Sequence, residues 1–165
     1  MAEQLSILQA AVEIEEFGIR FYGRLEECVA EEEGKALMRS LARDEGKHKE
    51  IILGEMARLK KGKEDVIPDK RYKDIVPERV FESLPEGRCL TVKEEIQALQ
   101  IGMDVERRSI EMYEKAAANA TMAEVKAMLK KLVHIEEGHL KLLEDNAYQL
   151  RMEGSWYGYT PLLEG

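Results

Sequence analysis

Apolar residues recur every three or four positions over four long stretches of this chain, and in each stretch a glutamate, histidine or tyrosine interrupts them. In the first, Leu8, Val12, Ile19 and Leu25 share a helical stripe with Glu15 and Tyr22. This spacing predicts a helix over about 5–28. The second, over about 33–60, has the inner stripe Met38, Leu41, Glu45, His48, Ile52 and Met56, so Glu45 and His48 stand where apolar residues belong. Residues 61–90 lose the period and carry Pro68, Pro77, Pro85 and Gly87, which reads as a long crossover running the length of a bundle. Within it, Val76 to Phe81 reads as a short helix with proline in its first turn. Capping boxes at Thr91–Glu94 and Thr121–Glu124 predict a third helix over about 92–118 and a fourth over about 122–153. The remaining tail, 154–165, carries Trp156, Tyr157 and Tyr159 and is too aromatic for a solvated end; it is expected to pack on the bundle or on a partner chain.

The interruptions repeat. Glu45-x-x-His48 and Glu136-x-x-His139 are 91 residues apart, and the same offset relates Glu15 to Glu106 and Tyr22 to Tyr113. Apolar positions follow the register: Met38, Leu41, Ile51 and Ile52 match Leu129, Leu132, Leu142 and Leu143. Self-similarity at one offset reads as duplication, and a unit this long reads as a helical hairpin. Glu15 and Glu45 are equidistant from Ala30, and Glu106 and Glu136 from Thr121, so each hairpin brings two carboxylates to one height.

Composition agrees with one all-α domain spanning 1–165, a four-helix bundle of two pseudo-symmetric hairpins joined by the crossover. The chain is 44% hydrophobic but only 6% aromatic, and 165 residues can bury a substantial core. A net charge of −8 argues against nucleic acid, whose phosphates need a basic face. The basic stretch from Arg58 to Lys73 is interrupted by Glu64, Asp65 and Asp69 and reads as a solvated linker. With no basic leader and no uninterrupted apolar run, the expectation is a cytoplasmic protein without a membrane span. Cys28 and Cys89 form no Cys-x-x-Cys pair and read as buried or idle thiols.

Positions i and i+3 share a helix face, so each Glu-x-x-His aims a carboxylate and an imidazole into one space. With Glu15 and Glu106 the set becomes four carboxylates and two imidazoles. Such a cluster in a core repels itself unless some members are protonated or cations neutralise them, and two divalent ions cancel four negative charges. Oxygen and nitrogen donors without thiolate suit iron or manganese, and zinc fits as well. Tyr22 and Tyr113 read either as core tyrosines or as hydrogen-bond donors to the metal carboxylates. His134 lies off the stripe and reads as a surface or rim histidine. Glu16 and Glu137 point away from it, and Met38, Met103 and Met128 read as core filling.

This double Glu-x-x-His with partner glutamates and tyrosines resembles the ferritin-like superfamily, and within it the rubrerythrin-related di-iron carboxylate proteins. The resemblance implies that Glu45 and Glu136 bridge two iron ions, with Glu15, His48, Glu106 and His139 as terminal ligands; the pairing of each histidine with a metal stays open. It implies reduction of hydrogen peroxide or dioxygen, and a homodimer. Rubrerythrins carry a rubredoxin-like domain that this sequence lacks, so electrons would come from an external donor protein. Where rubrerythrins have an extra glutamate on the third helix, this sequence has Ser109, closer to the symmetric set of bacterioferritin-like proteins. Two other readings stand beside the oxidoreductase: a ferroxidase or iron-storage protein, and a metal-free helical structural or binding module.

Overall fold

The computed structural model describes residues 2–60, 66–72 and 76–158. It contains α1 (Ala2–Cys28), α2 (Glu32–Leu59), the short α3 (Val80–Ser83), α4 (Val92–Asn119) and α5 (Ala123–Glu153), with a 3-10 turn at Lys70–Tyr72. No strand occurs among the described residues. α1 pairs with α2 and α4 with α5, and the hairpins meet α1 to α4 and α2 to α5. The four long helices form a bundle. No helix among the described residues is long and apolar enough to cross a membrane.

The ends at Thr91 and Gly154 follow local chemistry. Thr91 caps α4 in a full capping box: its hydroxyl accepts from the Glu94 amide and the Glu94 carboxylate accepts from the Thr91 amide. Gly154 ends α5 in the left-handed region at φ 71°, returning its N–H to the Leu150 carbonyl. The expected box at Thr121–Glu124 does not form. The cap of α5 is Met122, without a side-chain bond, because the Thr121 hydroxyl accepts instead from Gln4 Nε2 on α1.

The crossover runs parallel to α1, from its N-terminal to its C-terminal end. Near one end the Asp69 amide bonds the Ser6 carbonyl and the Ser6 hydroxyl bonds the Ile67 carbonyl; midway Arg20 pairs with Glu78, and at the far end Leu90 N–H bonds the Cys28 carbonyl. Ser6 and Cys28 are separated by about 33 Å of helix at 1.5 Å per residue. The short helix begins at Val80, later than its expected start at Val76. Pro77 lies ahead of it and accepts from Val80 N–H, closing a turn instead of opening the helix. Of the basic stretch, Arg58 and Arg71 are spent on Glu55 and on Asp69 with Glu3; residues 61–65 and Lys73 lie outside the described residues.

Two apolar clusters fill the bundle. One gathers Phe17, Phe21, Leu37, Leu41, Leu99 and Leu143; the other gathers Leu8, Val12, Ile52, Met112, Leu129 and Leu132. The six candidate ligands lie between them in sequence on every helix. Phe17, Gly18 and Phe21 fill α1's inner face, so Ile19 is only half-buried, contrary to its place in the expected stripe. The pseudo-symmetry is also imperfect on α2: Ile51 is 43% exposed, whereas its counterpart Leu142 is buried at 6%.

The tail folds back as far as it is described. Trp156 is buried, its indole N–H bonding Glu95 and its backbone N–H bonding Glu31. Gly34 makes room for it: a Cβ there would sit 2.6 Å from the indole. Gly158 and buried Asn146 exchange two hydrogen bonds. Tyr157 stays exposed, and Tyr159 to Pro161 lie outside the described residues.

Candidate metal centre

Between the two apolar clusters, Glu15 from α1, Glu45 and His48 from α2, Glu106 from α4, and Glu136 and His139 from α5 are all buried, none more than 4% exposed. They form two overlapping groups. Glu15, Glu45, His48 and Glu136 make one; Glu45, Glu106, Glu136 and His139 make the other; within each, one ligand atom per residue lies within 4.8 Å of every other. Glu45 and Glu136 belong to both. The histidines divide, His48 with Glu15 and His139 with Glu106, and their rings stack at 5.4 Å across α2 and α5.

The nitrogens that face inward are both Nδ1. His48 Nδ1 lies 3.0 Å from Glu136 and 3.3 Å from Glu15, and His139 Nδ1 lies 2.9 Å from both Glu45 and Glu136. Despite these distances, six buried atoms have no well-directed hydrogen-bond partner: Glu15 Oε2, Glu45 Oε1, both Glu136 oxygens, His48 Nδ1 and His139 Nδ1. All six belong to the ligand set. A buried polar atom without a partner costs about 1–3 kcal/mol, more when charged. Atoms that crowd together without bonding one another leave room for a common ligand, and a divalent cation in each group would take up all six.

The tyrosines cross between hairpins. Tyr113 on α4 donates to Glu15 Oε1 on α1, and Tyr22 on α1 donates to Glu106 Oε1 on α4. Both rings are fully buried, and these bonds set α1 antiparallel to α4 at the level of the cluster. Burial, followed by the nearby carboxylates, pushes both phenols well above their usual range, so they remain donors. Each holds one oxygen of its glutamate. In Glu15 the other oxygen is left facing the cluster.

The charge pattern is that of crowded carboxylates. Burial first, then Glu45 and Glu136, raise both Glu15 and Glu106 well above the ordinary value. Glu45 is depressed against the effect of burial, because Glu15 and the two histidines stabilise its anion. Burial disfavours a charge on His48, but Glu136, Glu15 and Glu45 outweigh it and hold its pKa up at about 12. His139 is raised in the same way, with Asp44 its largest favourable neighbour.

Asp44 is a participant that the sequence pattern does not single out, since it lies beside the ligand stripe. Its Oδ2 is 3.8 Å from His139 Nε2, its Oδ1 binds Lys47 at 2.8 Å, and its side chain is 23% exposed. His139 followed by Lys47 draws its pKa down to about 2, burial opposing. The offset places Ile135 at the matching position, so His48 has no such neighbour from α5. Gly18 serves the site through absence: a Cβ there would lie 2.9 Å from Glu45 Cγ. His134 is exposed and pairs only loosely with Glu137, and Glu16 is exposed beside Lys49.

A bundle of two helical hairpins with a long crossover, and a layer of glutamate and histidine at mid-height, defines a ferritin-like fold. A rubrerythrin family model matches residues 6–146, and the chain belongs to that family. Among solved structures, it is similar to a Pyrococcus furiosus protein described as hypothetical, at 26% identity over 90% of each chain with a TM-score of 0.77. It is similar also to a Thermotoga maritima protein described as ferritin-like diiron-carboxylate, at 26% identity over 92% of this chain and 96% of that one, TM-score 0.70. No curated protein matches the chain.

Proposed function

We propose that this protein is a rubrerythrin-like oxidoreductase that holds two iron ions in the buried cluster and reduces hydrogen peroxide or dioxygen with electrons from another protein. The observation that carries this reading is the convergence of six buried, unpartnered ligand atoms in two groups that share Glu45 and Glu136. Those two carboxylates would bridge the ions; Glu15 with His48, and Glu106 with His139, would complete one ion each. When bound, the irons supply the two electrons that convert one peroxide and two protons to two waters. Manganese and zinc suit the same donors, so the metal is itself part of the proposal.

The chain's own residues provide orientation and dryness. Tyr22 and Tyr113 fix the rotation of Glu106 and Glu15, the partners that ligating carboxylates commonly need. The apolar clusters above and below exclude water, which strengthens every charge interaction between them. Partly buried Asp44, 3.8 Å from His139 Nε2, offers a polar approach for protons.

Anaerobic loading with ferrous iron followed by rapid mixing with peroxide tests this reading. Peroxide should be consumed at one per pair of irons as a ferric absorption band grows. A ferrous-loaded chain inert to both peroxide and dioxygen rules it out. One observation favours ferroxidase chemistry as a second reading: buried Ser109 turns its hydroxyl to the Val105 carbonyl, so α4 adds no further carboxylate there. Light scattering and iron capacity separate the two, because storage needs a shell that takes up far more iron than the cluster holds.

A further inference from the structure

Cys28 and Cys89 are distant in sequence and adjacent in space. The Leu90 amide donates to the Cys28 carbonyl at 2.8 Å. Because Cys89 directly precedes Leu90, ordinary backbone dimensions keep the two Cα atoms within roughly 8 Å, close to the span of about 4.4–6.8 Å that a disulfide needs. The Cys28 sulfur already faces the crossover, 3.7 Å from the Pro85 carbonyl. Neither cysteine is in a disulfide; Cys28 is buried and Cys89 exposed.

From this juxtaposition we infer that Cys28 and Cys89 form a peroxide-oxidisable thiol pair, which closes into a disulfide that fastens the end of the crossover to the end of α1. The division of burial assigns the roles. Exposed Cys89 meets the oxidant: its thiolate sulfur attacks one peroxide oxygen, the O–O bond breaks, and the departing hydroxide takes a proton to leave as water. Cys89 is then a sulfenic acid. Cys28 loses its proton and attacks that sulfur, the S–S bond forms, the S–O bond breaks, and a second water leaves. Two thiols are oxidised by two electrons, and one peroxide is reduced to two waters.

Burial pushes the Cys28 thiol up and Arg24 opposes it, which suits a resolving group that stays protonated until the sulfenic acid is beside it. The same physics that hides Cys28 keeps it from being oxidised first. This chemistry needs no metal, so it stands or falls independently of the buried cluster.

The test uses the full, reduced chain, treated with hydrogen peroxide, quenched with N-ethylmaleimide and examined by intact mass and peptide mapping. The expected product has lost two hydrogens, carries no maleimide and yields a Cys28–Cys89 cross-linked peptide. It should melt several degrees above the reduced chain, since the bond closes a long loop. Cys28→Ser should leave Cys89 as a sulfenic acid captured by dimedone. Cys89→Ser, at an exposed position, should keep a free Cys28 at the same peroxide dose. Two alkylatable thiols after excess peroxide, or a Cys89 disulfide formed only between chains, would overturn the inference. Neither readout depends on peroxide turnover by bound iron.

Discussion

Replacing Tyr113 by phenylalanine removes one oxygen atom and isolates what its hydroxyl does for Glu15. In the native chain that hydroxyl occupies Glu15 Oε1 while Oε2 faces the cluster without a partner. Glu15 is completely buried, so water cannot replace the lost donor cheaply. A hydrogen bond to a charged group contributes about 1.5–3 kcal/mol. Expressed as binding, that is roughly 10–100-fold in metal affinity, the range seen when outer partners of metal ligands are removed. The loss should fall on the position built by Glu15 and His48. Tyr22→Phe should weaken the other position by a similar factor, because it repeats the arrangement at Glu106. Titration with manganese against a chromophoric chelator would resolve two affinities, one displaced in each variant. If Tyr113→Phe changes neither affinity by as much as threefold while the fold is intact, the tyrosines are core residues whose hydroxyls were merely satisfied, and the positioning role is wrong.

Gly18→Ala puts a Cβ 2.9 Å from Glu45 Cγ, displacing a carboxylate that both groups share; metal affinity at both positions should drop about tenfold or more while the helix keeps or gains stability, read by paired binding and melting curves. Gly34→Ala should displace Trp156 at a cost of about 1–3 kcal/mol, visible as a red shift of tryptophan fluorescence and a lower Tm, since the added carbon would lie 2.6 Å from the indole. Metal uptake should release protons, up to four per chain, because Glu15, Glu106, His48 and His139 are all raised toward their protonated forms. Calorimetry in buffers of different ionisation enthalpy counts them, and affinity should climb with pH. The sign is opposite for the metal-free chain: a histidine raised from 6.5 to about 12 contributes stability in full below 6.5 and loses it as pH rises toward 12.

What could be read from residue order was whatever depends on period and offset. Helix faces repeat every 3.6 residues, so the stripe through Leu8, Val12, Glu15 and Tyr22 already placed a carboxylate inside, and the 91-residue offset predicted a second hairpin carrying the same set. Contacts between polar groups far apart in the chain had no such signal. Trp156 meets Glu95 from 61 positions away, Thr121 is diverted from its helix by Gln4, and Tyr22 and Tyr113 serve the opposite hairpin's glutamates rather than their own. Asp44 escaped notice because the stripe rule credits only inward positions, and it reaches His139 from the edge. The two cysteines looked unrelated for the same reason: only the path of the crossover brings residue 89 beside residue 28.

The central claim is that Glu15, Glu45, His48, Glu106, Glu136 and His139 enclose a pair of metal ions. A crystal of the protein loaded with ferrous iron, with anomalous data collected on either side of the iron edge, measures this most directly. The account predicts two iron peaks between α2 and α5, both touched by Glu45 and Glu136, with His48 Nδ1 on one and His139 Nδ1 on the other. A loaded crystal with no anomalous peak inside the bundle, the imidazoles bonded to the carboxylates instead, would contradict it.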